Sequence, residues 1–175
     1  MPDLATHVAA AWGLGRAVCL VRPCRPGGLF LFAAGSALPD VLARAPHLVL
    51  NSAHLERLTH PLHVPATLIL ICAVLAFLFE ERGRTGRFMA LSLGALFHCL
   101  LDACQTIGPN AGYHWLYPFS DASPQLDLFS GEKTVLALPW VTLGAVTLEC
   151  AGRLQRRRRE GRGPNSSVDS PGTNG

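Results

Sequence analysis

The sequence predicts an all-α fold, a polytopic membrane bundle of about five helices with a cluster of His and Asp residues at one end. Three observations lead there. Of 175 residues, 49% are hydrophobic and 15% charged, where a soluble domain carries roughly 25% charged residues. The apolar residues gather in Leu/Ala-rich runs without period-two alternation, so no stretch reads as a strand. The mean hydropathy of +0.28 fits membrane spans diluted by a polar portion. The length suits one domain. Disordered, collagenous and disulfide-scaffold classes are excluded by this composition. A greasy soluble helical domain is the competing class.

The elements follow in chain order. Ala5–Val21 is an apolar run interrupted by Arg16, and Gly28–Leu42 is a second. Both are short, so tilted or partly interfacial helices are expected. The strongest run is Leu62–Phe79, LHVPATLILICAVLAFLF, 18 residues without a formal charge. As a helix it would reach about 27 Å, the threshold for crossing a bilayer. Glu80, Glu81, Arg82, Gly83 and Arg84 end it. Phe88–Cys104 and Thr134–Cys150 complete the set, the latter with Pro139 as an expected kink. Residues 1–152 thus form a membrane-embedded helical domain. Residues 153–175 form a tail, basic at Arg153, Arg156 to Arg159 and Arg162, then Gly/Pro/Ser/Asn-rich and expected to be disordered. The N-terminus lacks the basic region of a secretory signal.

Basic residues give an orientation. Arg22 and Arg25, then Arg82, Arg84 and Arg87, then the tail all fall on one side. Segments 45–61 and 105–133 carry only Arg57 and Lys133, with Arg44 at the border. The positive-inside rule places the C-terminus in the cytoplasm and those two segments outside. The implied partner is the lipid bilayer, with anionic headgroups at the arginine tail. Nucleic acid is not expected, because the basic run has no interleaved aromatics. Six cysteines lack any CxxC spacing and read as small buried hydrophobes rather than as a disulfide framework or a zinc-thiolate site.

On this topology His7, Asp40, His60, His98 and Asp102 all fall at the outer end, although the spans alternate in direction. His98 and Asp102 are four apart and share one helix face. An aspartate inside a membrane helix costs about 2.5–3.5 kcal/mol and is retained where it pairs, lines a cavity or binds something. Imidazole and carboxylate together suit an open zinc, manganese or iron site, where a divalent ion turns bound water into a nucleophile. His114 or His63 could shuttle a proton, and Arg57 could stabilise a developing anion. The alternatives stay open. His98 and Asp102 could form a plain hydrogen-bonded pair, Asp40 after Pro39 could cap a turn, and Tyr113, Trp115 and Tyr117 could form an aromatic belt.

At these residues the chain resembles the YdjM-like inner-membrane family of bacterial metal-dependent hydrolases. The matching features run in family order: Thr6-His7, Leu38-Pro39-Asp40, Thr59-His60, Gly94 through His98 to Asp102 with Thr106 and Gly108, and Tyr117-Pro118-Phe119-Ser120. They cover residues 1–150. The chain departs from the family pattern at Leu42, where a second Asp is common, and in the lead-in His54 to His60. The resemblance implies kinship with helical zinc-dependent phospholipase C and single-strand nuclease enzymes. It implies a divalent metal, zinc first and manganese second, held by His7, Asp40, His60, His98 and Asp102. It further implies hydrolysis of a phosphoester or related ester of a lipid or envelope component. The competing function is a small non-enzymatic membrane protein, a transporter or scaffold, whose His/Asp cluster pairs internally. A transporter would more typically show duplicated halves, and the sequence has no internal repeat.

Overall fold

A computed structural model describes residues 4–22, 24–50, 60–106, 115, 119–120 and 125–160. Five α-helices carry almost all of it: α1 (Leu4–Val21), α2 (Pro26–Leu50), α3 (Pro65–Ala76), α4 (Arg84–Ala103) and α5 (Gly131–Glu160). A 3-10 turn, His60–His63, leads into α3. The helical bundle expected from the apolar runs is therefore present. One feature was not foreseen. Gln105–Thr106 (β1) and Phe129–Ser130 (β2) pair as a parallel two-residue ladder. It ties the start of α5 to the end of α4, and Leu126 and Leu128 add backbone bonds to the Ala103 and Cys104 carbonyls.

Among the described residues four helices are long and apolar enough to cross a membrane: α1, α2 over Gly27–Ala45, α4, and α5 over Glu132–Arg158. The strongest apolar run of the sequence is not among them. Its helix, α3, has 12 residues, about 18 Å of rise. The physical reason lies at both ends. Pro65 sits in the first turn of α3, where a missing N–H costs nothing, so the helix begins there and His60–His63 turn separately. After Ala76 the backbone of 77–79 makes i→i+3 bonds instead of continuing the α-helix. This turn is held by Arg84, which donates to the Phe79 carbonyl at 3.3 Å and lies over the Phe77 ring, while Arg87 lies over Phe79. Gly83 precedes α4 at φ 94°, a left-handed conformation costing a side-chain-bearing residue about 1–2 kcal/mol.

The helices stand side by side. Helix α5 packs on α1, α1 on α2, α2 on α4, and α4 on α3. The core lies between α3 and α4, where Leu68 and Cys72 meet Leu91, Ala95 and Cys99. At the α2–α4 crossing, a Cβ added to Gly35 would strike the Leu91 carbonyl, and one added to Gly94 would strike the Phe32 carbonyl. The two backbones touch, as small residues allow in membrane helices. Helix α5 runs through Pro139 for 30 residues, about 45 Å, against a hydrocarbon core of about 30 Å. A helix of this length leaves room for its basic last turns, helical to Glu160, to reach beyond such a layer. Exposed Leu136, Trp140, Leu143 and Val146 on α5 suit a lipid-facing surface.

The cysteines only partly match the expectation of small buried hydrophobes. Cys72 and Cys99 are buried, whereas Cys104 is half-buried and Cys150 exposed. Cys19 and Cys24 instead form a disulfide with Cα atoms 5.1 Å apart, a correction to the reading of all six as unpaired. The turn between α1 and α2 brings them together, a proximity that a spacing of five does not reveal.

Two outcomes are expected. Gly94→Ala should destabilise the detergent-solubilised chain by about 1–3 kcal/mol in denaturant unfolding through overpacking against backbone. Gly27→Ala, with open space around it, should cost far less. Alkylation of the denatured, unreduced chain should modify four of the six cysteines, as read by mass.

Candidate metal centre

Side chains from four elements meet at one end of the bundle. His7 comes from the first turns of α1, Asp40 from the second half of α2, His63 from the 3-10 turn, and His98 and Asp102 from the last turns of α4. All five are buried, between 0% and 5% exposed. Asp102 bridges two rings, its Oδ1 3.2 Å from His7 Nε2 and its Oδ2 3.2 Å from His98 Nε2. The i,i+4 spacing of His98 and Asp102 lets one α4 face supply both groups. The His7 and His98 rings stack with centroids 4.3 Å apart. Asp40 Oδ1 stands 3.9 Å from His63 Nε2, and its Oδ2 lies 3.8 Å from Arg44 Nη2 one turn on.

His98 is the hinge of this set. Its donor atoms lie within 4.8 Å of those of His7 and Asp102, and equally of those of Asp40 and His63. Its protonation follows from the neighbours. Nδ1 is 2.8 Å from the backbone carbonyl of Ser36, and a carbonyl only accepts, so Nδ1 carries a proton. In the neutral ring Nε2 is then a lone pair, and it faces a carboxylate oxygen. Among the described residues no donor satisfies it. Two acceptors 3.2 Å apart in a buried space need a positive charge between or upon them: an imidazolium proton or a bound cation.

The donor set fits the cation. Metal-ligating histidines characteristically donate their second N–H to a carbonyl or carboxylate, as His98 does to Ser36. Ligands at zinc distances in a tetrahedral shell are about 3.3 Å apart, close to both contacts of Asp102. Ser36 also braces α1, its hydroxyl donating to the His7 carbonyl at 3.3 Å. The histidines and carboxylates suit zinc or manganese better than a thiolate-preferring ion. Cys99 lies beside the set, but its thiol donates to the His63 carbonyl at 3.8 Å.

Of the residues singled out from sequence, the fold brings His7, Asp40, His98 and Asp102 together. His63, expected as a proton shuttle, stands among them. His60 lies in the 3-10 turn, three residues from His63, and its side chain falls outside the described residues, as do Arg57 and His114. Three features escaped the sequence reading. Arg44 reaches Asp40 one helical turn away, a spacing that i,i+4 rules could have flagged. The Ser36 carbonyl had no signal, because any residue offers one. Arg16 and Glu149, the lone charges of the apolar runs Ala5–Val21 and Thr134–Cys150, pair with each other, and Trp12 and Arg153 also donate to Glu149 at 3.3 and 2.9 Å. Two opposite charges isolated in separate apolar runs were the available clue.

A family model described as YdjM inner membrane protein matches residues 1–162. No curated protein and no solved structure matches the chain.

Removing one partner of the buried network leaves the others uncompensated. Asp102→Ala should lower stability in detergent by about 3–5 kcal/mol, measured by denaturant unfolding. Asp127→Ala, at an exposed position outside the helices, should cost much less.

Proposed function

The chain belongs to the YdjM inner membrane protein family, and from that premise we propose that it is a membrane-embedded, metal-dependent hydrolase. Its ligands would be drawn from His7, Asp40, His63, His98 and Asp102, with His60 as a further candidate beside them. The observation that carries the reading is His98 Nε2 facing the Asp102 carboxylate at 3.2 Å, without a hydrogen bond, inside a buried set of His and Asp donors. Zinc suits these donors best, with manganese next. A divalent ion bound there would supply a Lewis acid and bring the pKa of water to about 7.

The protein's own groups do the positioning. Ser36 fixes the His98 tautomer through its carbonyl. Asp102 orients the His7 and His98 rings from between them. Arg44, 43% exposed while touching the buried Asp40, places a positive charge at the edge of the cluster, where it would favour an anionic phosphoester. Arg57 and His114 keep their proposed roles as anion stabiliser and proton shuttle. The substrate class is a phosphoester or related ester of a lipid or envelope component. The basic end, with the C-terminus, would face the cytoplasm.

One observation favours a second reading, in which the cluster is an internal pairing network of a non-enzymatic membrane protein. The five side chains are deeply buried, and neither the cavity at Arg16 and Gly152 nor the one between Trp12 and Leu138 touches them. Elemental analysis of the detergent-purified chain separates the readings. The hydrolase should carry zinc or manganese, and His98→Ala with Asp102→Ala should reduce affinity at least about tenfold. Chelation should abolish turnover of a simple phosphodiester, and added metal should restore it. Equal metal content in the wild type and the double variant would sink the proposal.

A further inference from the structure

The end of the bundle opposite the His/Asp cluster carries a site of its own. There α1, α5 and the turn after α1 line a partly open cavity of about 170 Å³, with Arg16, Cys19, Cys24, Gly152, Gln155 and Arg156 in its wall. A water molecule's share of liquid volume is about 30 Å³, so a phosphate group fits with room for water. The lining is rich in donors. The half-buried Arg16 guanidinium commits Nε to Glu149. Its two terminal nitrogens carry four further N–H groups, and the residue lines the cavity. Gln155 and Arg156 add further donors to the lining. Charge points the same way: Arg16 and Arg156 line the cavity, and Arg16 shares its one carboxylate, Glu149, with Arg153.

The space is preserved by Gly152. A Cβ at that position would lie 3.2 Å from Arg16 Nη2, so a larger side chain would fill the cavity and press on the guanidinium. The Cys19–Cys24 disulfide pins the opposite wall. An arginine fork matches the paired oxygens of a phosphate. The site also lies where the apolar span of α5 gives way to its basic last turns, the level at which lipid headgroups begin.

We propose that this cavity is a phosphate-binding site, taking its phosphate from an anionic phospholipid headgroup or from inorganic phosphate in solution. It is separate from the hydrolase reading and needs none of the cluster residues. The test uses the full chain reconstituted in vesicles of phosphatidylcholine and phosphatidylglycerol in equal parts. Lipid retained after extraction is counted by native mass spectrometry, and inorganic phosphate binding is measured by calorimetry in detergent. Retention of phosphatidylglycerol over phosphatidylcholine assigns the lipid source, and calorimetric binding assigns the solution source. Arg156→Gln should weaken whichever binding is seen about fivefold. Gly152→Leu should abolish it without changing charge. Arg157→Gln with Arg158→Gln, which removes twice the charge outside the cavity, should change it less than Arg156→Gln does. A chain that shows neither preference overturns the proposal. So does a loss that follows total charge regardless of position, or binding that survives Gly152→Leu in a folded variant.

Discussion

Gly35 and Gly94 bring the backbones of α2 and α4 into contact, and the chemistry at the end of the bundle hangs on that approach. Ser36 follows Gly35, and His98 lies one turn after Gly94. With the helices this close, a main-chain carbonyl of α2 reaches a ring nitrogen of α4 at 2.8 Å. That bond puts a proton on Nδ1 and turns Nε2 toward the Asp102 carboxylate, where a proton or a cation has to sit. A side chain at either glycine would separate the helices. The ring would lose its carbonyl, and Asp102 would lose a defined neighbour.

The sequence made the helical bundle and its grouping of polar residues legible, because both depend on periodicity and chain direction. Alternating spans return His7, Asp40, His98 and Asp102 to one end whatever the details of packing. Local endings were less legible. Hydropathy joined Leu62 to Phe79 into one span, yet Pro65 starts the helix three residues late and the Arg84 and Arg87 contacts with Phe77 and Phe79 hold a turn after Ala76. Hydropathy sums side chains and is blind to where a backbone bond cannot form. The placement of His63 follows from that late start, since the 3-10 turn delivers it to Asp40. The Cys19–Cys24 bridge and the Arg16–Glu149 pair lay beyond a reading that weighed each segment alone.

The apolar surfaces divide the work of holding the bundle. Helices α2 and α4 bury small residues and polar groups against each other, while α5 meets the rest mainly through α1 and turns large apolar side chains outward. In water such a helix would be a liability. In a bilayer, where lipid tails satisfy an apolar face as well as protein does, its docking rests on local contacts. Gly13 against Ala145 gives close approach, and Glu149, held by Arg16, Trp12 and Arg153, gives polar attachment. The Arg16 and Glu149 side chains are both largely covered, and a partly buried pair is screened less by salt than an exposed one.

The Cys19–Cys24 bridge also carries information about the membrane. It lies in the turn that bears Arg22 and Arg25. Basic turns favour the cytoplasm, whereas disulfides persist in the periplasm and are reduced by cytosolic thiols. The two tendencies pull this one turn in opposite directions. Its thiol state in intact cells is thus a built-in reporter of topology, reading out the sidedness of the whole bundle from a single pair of sulfur atoms.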